Sequence, residues 1–327
     1  MMEASLTEFP VFVGSWPRGT LSSPVANDAP VTQEGGMTDA IPRRILLATD
    51  LSCRCDRALD RAVQLAREWS AELIAATVIE PGPADFLEPR ASSWRRQASP
   101  EERMHRRLAR DVASVADNIR VVIETGDPAA KLIEVAEREN CDLIVTGIAR
   151  DETFGRMILG NTASRLVRGA AIPVLVVRDR PAGAYRKIVV ATDLSETALQ
   201  ATLAAGVFFP TAALTLFHGY DIPYAGYLSD RDFAPESHAK ADEVRTQLRH
   251  ESRIGDALYE RLDVVVEHGA PEILIGDYVE DNHADLTVVG SRGRGLLFDA
   301  FIGSMDKRLS DALEGDLLIV PGVAEKG

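Results

Sequence analysis

Gly290-Ser-Arg-Gly293, followed after nine residues by Gly303-Ser304, has the composition of a phosphate cradle. Glycines carry no side chain, so backbone N–H groups can approach an anion closely. Gly303-Ser304 then opens a helical segment from about Met305. The first N–H groups of such a helix, at the positive end of its dipole, attract phosphate. Arg292 and Arg294 add positive charge beside the glycines. Two other phosphate signatures are excluded. The glycine spacing does not make the dinucleotide fingerprint, and no Gly-x-x-x-x-Gly-Lys-Ser/Thr occurs.

The stretch directly follows an apolar run, Leu286 to Val289, and it is half of a repeat. Ile45-Leu-Leu-Ala-Thr-Asp-Leu-Ser52 recurs as Ile188-Val-Val-Ala-Thr-Asp-Leu-Ser195, an offset of 143 residues. Val121-Val-Ile-Glu-Thr-Gly126 recurs as Val264-Val-Val-Glu-His-Gly269 at the same offset, and so do Gly147 with Gly290 and Gly160 with Gly303. That period is too long for a solenoid unit and marks a duplicated domain. We divide the chain into a disordered extension over 1–40, a first domain over 41–180 and a second over 186–323, with a short linker near Asp179 to Arg186.

Within the first copy, apolar β-branched runs at about 44–49, 72–79, 119–124, 142–147 and 173–177 alternate with helical patterns. Ser52 is placed to cap a helix running to about Trp69, and Asp127-Pro128 supplies a cap and an N1 proline before Lys131 to Glu139. Nearly continuous apolar strands separated by helices imply a parallel sheet covered on both faces. Each copy is thus expected to be a doubly wound α/β domain of five strands. Ligands of such sheets bind at the carboxyl ends of strands, where strand order reverses.

Composition narrows the function. Of the 327 residues, 46% are hydrophobic and 26% charged, which suits a globular protein rather than a disordered one. The net charge of −14 disfavours bulk binding to nucleic acid or anionic lipid. No apolar run approaches the roughly 18 residues of a membrane span, and the N-terminal residues lack a secretory pattern. Three cysteines make no disulfide framework, so a reducing, cytoplasmic location is expected. Met37 is a candidate start codon. The competing reading keeps residues 1–36 as a tail with an apolar partner-binding patch at Phe9 to Trp16.

The chain resembles a tandem universal stress protein over about residues 42 to 323. That family carries Gly-x-x-Gly, nine residues, then Gly-Ser/Thr after its fourth strand, and Gly290, Gly293, Gly303 and Ser304 match each position. It also has an Asp at the end of its first strand, matched by Asp193 and, in the first copy, by Asp50. The resemblance implies two tandem Rossmann-like domains of the adenine nucleotide alpha hydrolase-like type. It implies ATP, with or without Mg²⁺, bound in the second domain by Asp193, Gly290, Arg292, Gly293, Gly303 and Ser304. The family also pairs domains through the strand after the glycine motif. An intramolecular pseudo-dimer through 173–177 and 316–320 is therefore expected, with further homodimerisation open.

The first copy departs from the pattern. Its stretch reads Gly147-Ile-Ala-Arg150, then nine residues, then Gly160-Asn161. A side chain at Arg150 obstructs close backbone approach, although an arginine also contacts phosphate well. Asn161 can cap a helix but lacks a hydroxyl. We take Asp50, Gly147, Arg150, Gly160 and Asn161 as a degenerate site, with anion binding at the helix terminus as the rival reading.

Simpler roles compete for several residues. Asp50 and Asp193 also fit turn hydrogen bonding, and Ser52 and Ser195 fit plain helix caps. Cys53-Arg-Cys55 lacks the usual redox spacing, and Cys141 precedes a buried strand. The histidines have no ligand spacing, so no metal site is expected; His218 either lines the nucleotide pocket or packs. The seven arginines between Arg90 and Arg110 fit a solvated face better than an RNA surface. No nucleophile dyad or general base stands out, and no catalytic residue is assigned. The expectation is a cytoplasmic stress-response protein that binds ATP and acts through conformation or an unidentified protein partner. The alternatives are a slow ATPase or nucleotidyl transferase, and an interaction scaffold that binds no nucleotide.

Overall fold

The computed structural model describes residues 40–50, 56–80, 102, 104, 106, 119–150, 157–158, 160–220, 230–291 and 315–322. Several sequence expectations therefore lie outside the described residues: the extension before Ala40, Ser52, Cys53, Cys55, most of the arginine-rich stretch, and Arg292, Gly293, Gly303 and Ser304. The chain divides into two units, Met1–Gly35 and Gly36–Gly327, and the second holds every element that follows.

In the first half the strands are β1 (Arg44–Ala48), β2 (Glu72–Ile79), β3 (Ile119–Thr125), β4 (Leu143–Gly147), β5 (Ala149–Arg150), β6 (Met157–Ile158) and β7 (Val174–Val177). The helices are α1 (Asp56–Trp69), α2 (Pro128–Arg138) and α3 (Asn161–Gly169). The second half adds strands β8 (Lys187–Ala191), β9 (Ala213–Tyr220), β10 (Leu262–His268), β11 (Leu286–Gly290) and β12 (Asp316–Val320). Its helices are α4 (Glu196–Phe208), α5 (Asp230–His250), α6 (Asp256–Tyr259) and α7 (Pro271–Asn282).

Ten strands form one sheet in the order β10-β9-β8-β11-β12-β7-β4-β1-β2-β3. In this sheet the pairings within each half are parallel, as in β1 with β2 and β4, or β8 with β9 and β11. Strand order reverses between β1 and β4, and again between β8 and β11. The halves meet where β12 runs antiparallel to β7, with Leu318 opposite Leu175. These are the strands read as edges at 173–177 and 316–320. Their pairing leaves β3 and β10 as the outer strands.

Local sequence accounts for the elements. Val174–Val177 and Asp316–Val320 are buried at every position, as strands covered on both faces must be. Along β1, Ile45 and Leu47 enter one core while Leu46 and Ala48 enter the other, the two-residue alternation of a strand. In α1, Ala58, Arg61, Ala62 and Leu65 are buried at helical spacing. Asp127 caps α2 by accepting from Ala130 N at 2.9 Å, with Pro128 at the first helical position. Arg165 of α3 grips the same carboxylate at 2.6 and 2.8 Å and, with the Ala130 N–H, holds it below the usual range. Cys141 is buried beside β4, and burial pushes its thiol up to about 12, so it packs as an unreactive group.

Candidate functional site

In the first half, β1 and β4 end side by side at the point where strand order reverses. Ala48 pairs with Thr146, which sets Gly147 opposite the Thr49-Asp50 turn. The α3 helix begins next to them. Gly160 is its N-cap and offers no side-chain acceptor. Asn161 is the first helical residue rather than the cap expected from sequence. The cap position falls to Gly160 because its backbone is already extended, with φ −61° and ψ 161°. These residues surround a cavity of about 390 Å³ that is lined by Asp50, Gly147, Gly160 and Asn161 together with Glu80 and Thr146.

Arg150 is placed differently from a loop residue. It belongs to β5, which pairs antiparallel with β6 so that Arg150 lies opposite Met157. A short two-stranded ribbon thus stands between Gly147 and Gly160, a stretch to which the sequence assigned no strand. Glu80 and Thr146 were also not singled out from sequence. Glu80 follows β2 and Thr146 lies in β4, so only the parallel register brings them to Asp50.

The second half repeats the strand geometry. Val288 pairs with Val190, which brings Gly290 level with Thr192 and next to Asp193. The turn that follows β8 is built from side chains. Thr192 Oγ1 accepts from Leu194 N at 2.9 Å, and Asp193 Oδ1 accepts from Ser195 N at 3.0 Å. Ser195 Oγ accepts from Ala198 N at 3.3 Å and caps α4. His218 Nδ1 donates to the Thr192 carbonyl at 2.9 Å, so this imidazole braces the turn. Asp193 therefore has a structural duty in one of its two oxygens, alongside its position at the carboxyl edge.

Gly290 also has a packing role. A Cβ added there would sit 2.6 Å from Thr197 Cγ2 and 2.7 Å from the Thr197 carbonyl oxygen. The first turn of α4 thus rests directly on the end of β11. Gly290→Ala is expected to lower the unfolding free energy by about 1–3 kcal/mol through this overpacking, measured by urea denaturation. Of the other expected residues of this half, Arg292, Gly293, Gly303 and Ser304 lie outside the described residues.

Among the described residues no group of three or more His, Cys, Asp or Glu side chains is arranged to hold a metal ion. Among the same residues no helix is long and apolar enough to cross a membrane.

Two five-stranded doubly wound sheets joined edge to edge, each reversing beside an Asp-bearing turn, define a duplicated Rossmann-like α/β protein of the adenine nucleotide alpha hydrolase-like fold. The universal stress protein family profile matches residues 42–178 and again 184–321, and the chain belongs to that family. A universal stress protein of Methanocaldococcus jannaschii is 31% identical over 140 residues, covering 42% of this chain and 82% of that protein. Two crystal structures share the architecture across both halves. One is a universal stress protein from Archaeoglobus fulgidus, at TM-score 0.56 and 16% identity over 85% of this chain and 98% of that one. The other is a putative universal stress protein from Pseudomonas aeruginosa, at TM-score 0.57 and 22% identity over 88% of this chain and 95% of that one.

Proposed function

We propose that this universal stress protein is a cytoplasmic stress-response protein that binds ATP in its second domain and acts through conformation or a protein partner. The observation that carries the reading is the cavity of the first half. It gathers Asp50, Gly147, Gly160 and Asn161, the positions that correspond at the repeat offset to Asp193, Gly290, Gly303 and Ser304. In the second half Gly290, at the end of β11, stands beside the turn after β8 that carries Asp193.

Sequence differences between the copies favour the second for a polyphosphate. It has glycine at 293 and a hydroxyl at Ser304, where the first has Arg150 and Asn161. Asp193 is assigned to the adenosine end. Gly290, Arg292, Gly293, Gly303 and Ser304 are assigned to the phosphates, with backbone N–H donors and the arginine meeting the negative charge. If Mg²⁺ accompanies the nucleotide, the triphosphate oxygens would hold it and it would offset their charge.

Calorimetric titration with ATP tests the assignment. Wild type is expected to bind, and Gly293→Arg is expected to bind at least about tenfold more weakly, a loss of about 1.4 kcal/mol. Asp50→Ala is expected to bind like wild type. Absence of ATP binding to wild type, or undiminished binding to Gly293→Arg, refutes the reading.

A further inference from the structure

A second cavity, of about 250 Å³, lies in the second half between α4 and α5. Leu199, Leu216, Val244 and Leu248 form its apolar wall, Thr192, Ser195, Thr202 and Gln247 line the rest, and Leu194 stands at the mouth. Leu216 and Val244 belong to one of the two cores that flank the sheet, whereas Leu132, which lines the cavity of the first half, belongs to the other. The two cavities therefore open on opposite faces of the fold. Asp193 and Gly290 do not line this one.

Two features single it out. Leu194 has φ 63°, a left-handed backbone that is unfavourable by about 1–2 kcal/mol for a residue with a Cβ. It is also 46% exposed, one of three large apolar side chains so exposed among the described residues. The hydrogen bonds to Thr192 and Asp193 hold this apolar side chain out at the cavity mouth. An outlier of this kind is a reason to look for function.

Charge at the mouth is unbalanced. Arg253 binds both Glu196 and Glu251, with Nε at 2.9 Å and Nη2 at 3.1 Å from the Glu251 oxygens and Nη2 at 3.0 Å from Glu196 Oε2. Hydrogen bonds from Arg253 hold the Glu251 carboxyl down at about 2, and those from Arg253 and Gln200 lower Glu196. Both are ionised near neutral pH, so the trio carries one net negative charge. An anion is repelled there and a cation is favoured.

We propose that this cavity binds a small amine whose aromatic or branched-alkyl body lies against Leu194, Leu199, Leu216 and Val244 and whose ammonium meets the Glu196–Glu251 rim. The size is sufficient: a buried apolar cavity of about 150 Å³ accommodates benzene. Apolar walls supply the affinity, and the rim selects the charge.

The full chain is titrated with 2-phenylethylamine, 2-phenylethanol and phenylacetate by calorimetry. The amine is expected to bind about two- to fivefold more tightly than the alcohol, the range of a half-exposed ion pair, and phenylacetate more weakly than either. Leu199→Phe fills the cavity and is expected to weaken the amine by at least about tenfold. Leu194→Asn keeps a residue tolerant of the left-handed backbone, removes the apolar mouth and is expected to weaken the amine without unfolding the protein. Glu251→Gln is expected to erase the preference for amine over alcohol. Failure of wild type to bind the amine overturns the proposal. So does equal affinity for all three probes, or binding unchanged in both Leu199→Phe and Leu194→Asn.

Discussion

Replacing Asp316 by alanine is expected to lower the unfolding free energy by about 3–5 kcal/mol, read from urea denaturation followed by circular dichroism. Asp316 opens β12 and is only 1% exposed. Its carboxylate accepts from Arg61 Nε at 3.2 Å, from the Tyr185 hydroxyl, and from the backbone of Arg178 and Asp179 at 2.8 and 3.1 Å. Burial pushes its carboxyl above the usual range, and these four donors pull it back. Burial, reinforced by the neighbouring carboxylate, raises the Tyr185 hydroxyl far above its ordinary value, so it stays neutral and donates. Alanine removes the acceptor of all four donors at once. It leaves the Arg61 guanidinium, 5% exposed and stacked 4.1 Å from the Tyr185 ring centre, without its counter-charge.

The position of this network decides what the loss does. Arg61 belongs to α1 of the first half, Asp316 to β12 of the second, and Arg178, Asp179 and Tyr185 to the segment between them. Arg61 also donates to the Gly183 carbonyl of that segment at 2.8 Å. The network therefore locks the two halves beside the β7–β12 pairing. Arg61→Met leaves the carboxylate three donors and is expected to cost less than Asp316→Ala. The double variant Arg61→Met/Asp316→Ala is expected to cost less than the sum of the single losses, because the lone buried charge disappears. A loss below about 1 kcal/mol for Asp316→Ala would mean that the pair behaves as an exposed one and that this account of the junction is wrong.

The duplicated sheet was legible because the signals for it are local and occur twice. Apolar β-branched runs mark β1, β2, β3, β4 and β7 to within a residue or two, and the Asp127-Pro128 cap starts α2 where it was placed. Edge pairing of β7 with β12 followed from the resemblance together with the need to cover two bare edges. The Asp316 network was not legible. Its principal pair is separated by 255 residues, and the repeat offers no hint of it. At the repeat offset Arg61 corresponds to Ala204 and Asp316 to Pro173, so the symmetry that revealed the domains hides their lock. The β5–β6 ribbon escaped notice because strands of two residues are too short to show a period. In the candidate site, the ends of β1, β4, β8 and β11 were readable from strand and glycine positions. Glu80, Thr146 and the contact of Gly290 with Thr197 depend on tertiary register and helix approach, which no short window contains.

Phe208→Ala is expected to lower the unfolding free energy by about 3–5 kcal/mol, as for other buried aromatic side chains. Phe208 ends α4 at 1% exposure and packs on Trp69, the last residue of α1, with ring centres 5.8 Å apart. Phe209 joins the same cluster, 5.7 Å from Trp69 and 5.3 Å from Tyr185. Two helices from different halves thus meet through aromatic rings on one face of the sheet, next to the Arg61–Asp316 pair. Such pairs add about 0.5–1.5 kcal/mol beyond the area they bury. Truncation at Phe208 opens a cavity directly against Trp69, and the indole is expected to become more hydrated. Tryptophan fluorescence should shift to longer wavelength in Phe208→Ala. Trp16 and Trp94 also emit, so the shift must vanish when Trp69→Phe is the background. A full stability loss without a fluorescence change would confine the damage to the second half and would show that Trp69 contributes nothing to joining the domains. A shift together with the stability loss makes Phe208 and Asp316 two fastenings of one junction, and their combined losses should then depart from additivity because Phe209, which packs on Phe208, also packs on Tyr185, a donor to Asp316.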